Sequence, residues 1–185
     1  MRRIETSLPG ACLIEPTVFS DERGFFFESY HETKYAELGI TDRFVQDNHS
    51  RSVRGTLRGM HYQIERPQAK LCRVVHGEVL DVIIDIRRGS PRFGQHESVV
   101  LSAENKRQLY VPTGFAHGYL VLSDTAEFLY KCSEFYFSRW DRGIAWNDPA
   151  VGIKWGLESP ILSARDKSHP TLSQVPEAEL PSFSG

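Results

Sequence analysis

Cysteine and long apolar runs are scarce in this chain of 185 residues. Its three cysteines, Cys12, Cys72 and Cys132, are odd in number and far apart, and no C-x-x-C pair occurs. This spacing argues against a disulfide scaffold and predicts buried free thiols in a reducing compartment. No apolar run reaches membrane-spanning length, and the first residues lack the apolar core of a secretion signal. We therefore expect a cytoplasmic protein without a membrane partner.

An excess of charge of one sign is also lacking. The 22 Lys and Arg residues nearly balance the 24 Asp and Glu residues, for a net charge of -2. A balanced chain has no strong electrostatic attraction to nucleic acid or to an anionic membrane. The hydrophobic share of 40% is typical of a globular protein, and the length fits one domain. We predict a single domain over residues 1–185.

Helical sequence is rare. Only His31–Leu38, which ends at Gly39, has helical composition. Elsewhere, short strand-like runs rich in Val, Ile and aromatic residues alternate with turn signals, as in Lys70–His76, Gly77 and Glu78–Ile86. This spacing predicts an all-β jelly-roll barrel or sandwich with an N-terminal β-arm and a few short helices. Because an extended arm can add to a neighbour's sheet, we also predict a homodimer through that arm.

The segment Arg58–Gln63 is the most informative stretch. Its sequence R-G-M-H-Y-Q reads as a strand, and Lys70 is predicted to begin the next strand. An imidazole, an amide and an ammonium group together suit a polar pocket better than a plain core. Strict alternation predicts Arg58, Met60 and Tyr62 on one face, and Gly59, His61 and Gln63 on the other.

Two spaced motifs resemble those of the cupin superfamily. They are Gly55-x5-His61 and Pro112-x-Gly114-x2-His117. The resemblance implies a cupin-type jelly roll. Metal-binding cupins carry a second His where Gln63 stands, and a Glu is wanted where Gln68 lies. Because a stable divalent site needs three or more ligands, we predict no metal.

A longer series of motifs resembles the dTDP-4-dehydrorhamnose 3,5-epimerase family, whose members are metal-free cupins. The resemblance covers about residues 10–167 and implies an isomerase that needs no cofactor. The implied substrate is dTDP-4-dehydro-6-deoxyglucose, whose C3 and C5 protons lie next to the 4-keto group. The motifs include Asp21-x-Arg23-Gly24-x-Phe26-x-Glu28, Val45–Ser50, Leu57–Gln63, Pro112–Gly118, Trp146–Pro149 and Leu162-Ser163-x2-Asp166.

The resemblance also implies catalytic roles. His61 would be the base, oriented and made more basic by Asp166. Lys70 would stabilise the enolate at O4, with Arg58 as a candidate second cation. Tyr130 would return a proton from across the ring, because a phenol stays protonated at neutral pH.

Substrate-binding residues follow from the same motifs. Arg23 would meet the diphosphate, in the same subunit or across a dimer interface, and Arg58 would add a second diphosphate contact. Tyr136 would stack on the thymine. His117 is interpreted either as a pocket residue or as a core histidine. The remaining contacts are assigned to Glu28, Gln46, Asp47, Asn48, Asp141 and Arg165, of which Asp141 and Arg165 replace the usual Glu and Lys.

Four alternatives stay open at this stage. A mono-epimerase or a keto-isomerase would act on the same sugar. A metal-dependent oxygenase would need ligands that Gln63 and Gln68 do not supply. A sugar-nucleotide-binding module would bind dTDP without catalysis. For the leading hypothesis, the product would feed a surface polysaccharide such as lipopolysaccharide or a glycosylated metabolite.

Overall fold

The computed structural model describes residues 1–183, which form thirteen β-strands, one α-helix and four 3-10 turns. The last two residues of the predicted domain, 184 and 185, lie outside the described part. The helix, α1, covers Glu32–Glu37. The strands are β1 (Arg2–Glu5), β2 (Cys12–Glu15), β3 (Phe19–Asp21), β4 (Gly24–Phe26), β5 (Gln46–Val53), β6 (Leu57–Gln63), β7 (Lys70–His76), β8 (Glu78–Asp85), β9 (His96–Ser102), β10 (Gln108–Val111), β11 (Phe115–Val121), β12 (Thr125–Cys132) and β13 (Asp141–Gly143).

Two antiparallel sheets face each other. The six-stranded sheet has the order β1-β2-β10-β7-β12-β5, and the five-stranded sheet has the order β13-β6-β11-β8-β9. Side chains from both sheets, such as Val79, Ile83 and Phe128, form one buried core between them. This architecture confirms the predicted all-β, cupin-type jelly roll. Strands β3 and β4 form a separate hairpin in the N-terminal region.

Strand β8 shows why some strands are mainly apolar on both faces. Val79 and Ile83 point into the core between the sheets, whereas Val82 and Ile84 pack on the other face under the C-terminal segment. Because both faces of the strand are covered, polar side chains are few along it and need a buried partner. A strand with this pattern cannot be distinguished from a buried helix by periodicity, and Gly77 supplies the turn signal that separates it from β7.

The predicted helix is confirmed within one residue at each end. His31 is the N-cap and accepts a hydrogen bond from the backbone N–H of Lys34, and Gly39 follows the helix with φ +83°. Tyr35 anchors the helix against the six-stranded sheet and donates to Gln108 at 3.0 Å. None of the helices within residues 1–183 is both long enough and apolar enough to span a membrane.

The predicted alternation along β6 is wrong at one point. His61 lies opposite His117 while Arg58 lies opposite Tyr119, so three steps along β6 match two along β11. This β-bulge inserts one extra residue and places Arg58 and His61 on the same face. The strands approach closely there, because a Cβ on Gly59 would lie only 2.6 Å from the Cα of Gly118.

Candidate active site

A cavity of about 360 Å³ opens between the two sheets. Its walls come from both sheets and from the C-terminal segment, so no single stretch of sequence could form it. Strand β6 supplies one wall, while β5, β7 and β12 supply the other. Among the lining residues are all four predicted catalytic residues and four predicted binding residues: His61, Lys70, Tyr130 and Asp166, with Asn48, Arg58, His117 and Arg165.

His61 and Asp166 form a hydrogen-bonded pair. The Nε2 atom of His61 lies 2.6 Å from Oδ1 of Asp166, which is 5% exposed. Burial would raise the pKa of Asp166, but the neighbouring His169 and His61 rings hold it well below its usual range. Burial lowers the pKa of His61, and the hydrogen bond and charge of Asp166 oppose that shift only in part. The pair therefore holds a neutral imidazole against a charged carboxylate at neutral pH.

A second histidine approaches the same carboxylate. Nε2 of His169 lies 3.5 Å from Oδ1 of Asp166, and its ring is roughly perpendicular to that of His61, with centroids 5.5 Å apart. The ring rests on Gly143, where a Cβ would come within 2.4 Å of it. Ser163 accepts a hydrogen bond from the backbone N–H of Asp166 at 3.0 Å. Asp166 is thus fixed at its backbone and its side chain.

Lys70 and Tyr130 come from the sheet opposite His61. Nζ of Lys70 lies 6.0 Å from the centroid of the Tyr130 ring. Burial raises the pKa of the Tyr130 phenol, so the hydroxyl stays protonated at neutral pH. Within residues 1–183, neither Lys70 nor Arg58 forms an ion pair with an acidic side chain. Two uncompensated cations in one cavity favour an anionic ligand.

His117 forms a separate buried pair in the cavity wall. Its Nε2 atom lies 2.7 Å from Oδ1 of Asp81, and Sγ of Cys72 is 3.8 Å away. Oδ2 of Asp81 is buried without a hydrogen-bond partner among the described residues. Burial raises the pKa of Cys72 well above its ordinary value, which keeps the thiol protonated. The pair holds the His117 ring in one orientation beside the cavity.

Two groups of donor atoms are close enough to suggest a metal. The first is His61, Asp166 and His169, and the second is Cys72, Asp81 and His117. In each group a histidine and a carboxylate already form a short hydrogen bond. These bonds engage one histidine and one carboxylate oxygen in each group, whereas Nε2 of His169 and Oδ2 of Asp81 have no hydrogen-bond partner among the described residues.

Three predicted binding residues, Tyr136, Asp141 and Arg165, contact one another beside the main cavity. The hydroxyl of Tyr136 donates to Oδ2 of Asp141 at 2.8 Å, and Arg165 pairs with the same oxygen at 2.5 Å. A smaller cavity beside these residues also borders His61 and Lys70. Arg165 keeps an ion pair with Asp141, so these two departures from the family pattern lie together in space.

Four other predicted residues do not line the main cavity within this chain. Arg23 pairs with Asp21 on the β3–β4 hairpin and is 85% exposed, while Glu28 pairs with Lys34. Asp47 pairs with Lys131 on the outer face of the six-stranded sheet. Gln46 is half-buried, and its amide contacts Asn48 and the backbone of Tyr136.

Several residues that line or support the cavity were not predicted from the sequence. Asp81 lies in the middle of a largely apolar strand, E-V-L-D-V-I-I-D. A charged residue among buried apolar ones is the sequence signal that indicates a special role for Asp81. His169 follows Asp166 by three residues and had no signal of its own. Ser50 and Tyr119, hydrogen-bonded at 2.8 Å, complete the wall near Arg58.

Known proteins resemble this chain over nearly its whole length. A sequence model of the family described as dTDP-4-dehydrorhamnose 3,5-epimerase matches residues 5–174. A dTDP-4-dehydrorhamnose 3,5-epimerase from Pseudomonas aeruginosa is 54% identical over 169 residues, which cover 90% of this chain and 93% of that protein.

Solved structures agree with the sequence match. A dTDP-6-deoxy-D-glucose-3,5-epimerase from Legionella pneumophila, in complex with dTDP-4-keto-L-rhamnose, superposes with a TM-score of 0.97 at 48% identity, covering 100% of this chain and 99% of that one. A 3'-monoepimerase from Streptomyces bikiniensis, in complex with dTDP-quinovose, superposes with a TM-score of 0.90 at 36% identity and covers 96% and 91% of the two chains. The chain therefore belongs to the dTDP-4-dehydrorhamnose 3,5-epimerase family.

Proposed function

We propose that the cavity binds dTDP-4-dehydro-6-deoxy-D-glucose with its hexose between His61 and Tyr130, and that these two side chains move the protons. The reaction is that of the family. It inverts C3 and C5 to give dTDP-4-dehydro-L-rhamnose, an isomerase step in dTDP-L-rhamnose biosynthesis. The observation that carries the proposal is that His61 and Tyr130 reach one cavity from opposite sheets.

His61 acts as the base. Its Nε2 atom is engaged by Asp166, which leaves Nδ1 to accept a proton from C3 or C5. The C–H bond breaks, its electron pair moves toward the 4-keto group, and the proton goes to Nδ1. Asp166 then stabilises the imidazolium that forms, as the carboxylate does in other His–carboxylate pairs.

Lys70 stabilises the enolate. The negative charge that develops on O4 needs a cation held in place before the reaction begins. Lys70 lines the cavity beside Tyr130 without an acidic partner among the described residues, so its charge is available to the substrate. Arg58 is the second free cation, and its exposed position suits the diphosphate.

Tyr130 returns the proton on the opposite face. Its phenol is protonated at neutral pH because burial raises its pKa. A carbanion carbon is a far stronger base than a phenolate, so the transfer is downhill despite the raised pKa. The O–H bond breaks and a new C–H bond forms with inverted configuration. The phenolate then recovers a proton from solvent, and the His61 imidazolium releases one to solvent, which restores both groups.

The nucleotide would lie at the cavity mouth. Tyr136 supports this placement because its ring is half-exposed and its hydroxyl is held by Asp141. Gln46 and Asn48 lie on the adjoining strand β5 with their side chains toward the same region. We assign the thymine to Tyr136 and the neighbouring polar groups to the sugar and the diphosphate, with His117 and Arg165 as further contacts.

A homodimer would complete this site. Strand β5, which lines the cavity, is an eight-residue edge strand, and long unpaired edges are normally covered. The β3–β4 hairpin exposes Phe19, Phe25 and Phe26 at 61–67% beside Arg23. We propose that each hairpin packs on the neighbouring copy, so that the partner subunit's Arg23 and the partner subunit's Glu28 reach the nucleotide.

Sedimentation velocity measures this assembly directly. We expect the mass of two chains at micromolar concentration, because three exposed aromatic rings and a free strand edge are buried on association. Phe26→Glu should shift the protein toward the mass of one chain and weaken substrate binding. A wild-type protein that sediments as a monomer would contradict the proposed dimer and leave the cavity chemistry intact.

Isotope exchange tests the reaction. In D2O, dTDP-4-dehydro-6-deoxy-D-glucose should acquire deuterium at both C3 and C5, and the rhamnose-configured product should appear. Mass spectrometry and NMR locate each label. Exchange at C3 alone would instead assign the chain to the mono-epimerases, of which the Streptomyces bikiniensis protein is a similar example. Binding of dTDP without any exchange would identify a binding module and refute the proposal.

A keto-isomerase would move the carbonyl group and leave no 4-keto product, which the same NMR spectra distinguish. The cytoplasmic location and the use of the product in a surface polysaccharide remain predictions from the sequence.

A further inference from the structure

Three glutamines converge on one short backbone segment, residues 134–137. Gln46 reaches it from β5, Gln63 from the end of β6, and Gln68 from the connection before β7. Together they make four hydrogen bonds to consecutive residues. Gln68 donates to the carbonyl of Glu134 (2.8 Å), Gln63 donates to the carbonyl of Phe135 (3.3 Å) and accepts from the N–H of Phe137 (2.9 Å), and Gln46 accepts from the N–H of Tyr136 (3.0 Å).

Gln63 is the centre of this arrangement. It is 7% exposed, and its Nε2 atom also donates to the carbonyl of Arg66 at 2.6 Å. Both amide hydrogens and the amide oxygen are therefore used. A carboxylate could not donate to the two carbonyls, and a methionine could neither donate nor accept. The amide at position 63, where a metal-binding cupin has a histidine, is thus explained by the backbone it holds.

The segment that Gln63 holds carries Tyr136. Tyr136 is held by two hydrogen bonds. Its backbone N–H donates to the side chain of Gln46, and its hydroxyl donates to Asp141. A half-exposed aromatic ring held in this way is ordered before any ligand arrives. Ordering a loop in advance improves affinity, because the binding step no longer has to supply that ordering.

We propose that Gln63 is a positioning residue for nucleotide binding, which holds residues 134–137 so that Tyr136 is ready to stack on the base. The inference rests on the proposed function, in which Tyr136 meets the thymine. Gln63 does not line the main cavity around His61 and Tyr130, but it borders the smaller cavity beside Tyr136 and Asp141. Releasing the segment should therefore weaken substrate binding and leave the chemical step intact.

The test is Gln63→Met, a substitution of similar size without hydrogen-bonding capacity. We expect KM for the nucleotide sugar and Kd for dTDP to rise about tenfold, with kcat within about twofold of wild type. Hydrogen exchange at the N–H groups of Tyr136 and Phe137 should accelerate in the same variant. Gln68→Met, which removes one bond instead of three, should produce a smaller change.

Gln95→Met, at an exposed glutamine on the far loop, is the matched control and should leave KM, kcat and exchange unchanged. Unchanged KM in Gln63→Met, with or without faster exchange, would overturn the inference. A fall in kcat at constant KM would also overturn it, because Gln63 would then act on the chemistry. If Gln63→Met fails to fold, Gln63→Glu, which keeps the acceptor and loses the donor, should give the same rise in KM.

The outcome is separable from that of the proposed function. Absent turnover and absent exchange in the wild-type protein would refute the proposed function itself. Normal wild-type turnover, combined with an unaltered KM in the Gln63 and Gln68 variants, would refute only the role of Gln63.

Discussion

Replacing His61 with asparagine is expected to lower kcat by about 10²–10⁴-fold and to abolish deuterium exchange at both C3 and C5. Asparagine can still hydrogen-bond to Asp166, which lies 2.6 Å from the His61 ring, but its amide cannot accept a proton from carbon. The loss should appear in kcat more than in KM, because the base contributes to the transition state rather than to binding. Steady-state kinetics and NMR of the recovered substrate measure both effects.

His76→Asn is the matched control for this variant. His76 is exposed at the end of β7, away from the cavity, so its replacement should change neither rate nor exchange. Continued exchange at C3 and C5 in His61→Asn, at rates near those of wild type, would identify another base and refute the assigned role.

The pH profile is a second measurement of the same role. His61 must be neutral to act as a base, and burial lowers its pKa below the ordinary value of 6.5. The acidic limb of kcat/KM should therefore lie below pH 6.5, with full activity at neutral pH. Asp166 raises the pKa of His61, so Asp166→Asn should move the limb to still lower pH while reducing the plateau. An acidic limb above pH 7 would contradict this assignment.

Replacing Tyr130 with phenylalanine is expected to separate proton removal from inversion. His61 remains able to remove a proton and return it, or a solvent deuteron, to the same face. The donor on the opposite face is lost, so the rate of product formation should fall by about 10²–10⁴-fold. Deuterium should continue to enter the substrate without inversion. The ratio of exchange to epimerisation, measured by NMR of one reaction mixture, should therefore rise.

Tyr62→Phe is the control for this variant. The Tyr62 hydroxyl is buried without a hydrogen-bond partner among residues 1–183, and its ring packs on the far face of the five-stranded sheet. Removing that hydroxyl should leave both rates unchanged. If Tyr130→Phe epimerises at the wild-type rate, the proton must come from another donor, and the two-sided mechanism fails.

Much of the site follows from the order of motifs along the chain. The four residues that the resemblance implies as catalytic, together with Arg58, all line one cavity. A family resemblance over most of the chain carries spatial information that local patterns lack. Local patterns alone would have left His61 and Lys70 as isolated polar strand residues.

Other features could not be predicted because they depend on pairing between distant strands. The β-bulge at Gly59 places Arg58 beside His61, and it exists only because β6 meets β11 with Gly59 against Gly118. His169 reaches Asp166 because its ring packs directly on Gly143, where a Cβ would clash with it. Gly143 pairs with His61 between β13 and β6. The sequence explains Gln63 only as a position that lacks a metal ligand. In the structure its side-chain amide forms hydrogen bonds with the backbone on either side of Tyr136.

The sequence by itself determined the all-β class, because many short runs of β-branched and aromatic residues between turn signals favour strands over helices. It also determined which chemical groups are available, since an imidazole, a phenol and several cationic side chains occupy positions that match the family's motifs. The tertiary structure decided which of these groups meet. Side-chain direction depends on strand register, and the pairing of charges depends on the neighbours that packing brings. Asp47 and Arg23 form ion pairs with Lys131 and Asp21, whereas Lys70 and Arg58 line the cavity without an acidic partner within residues 1–183.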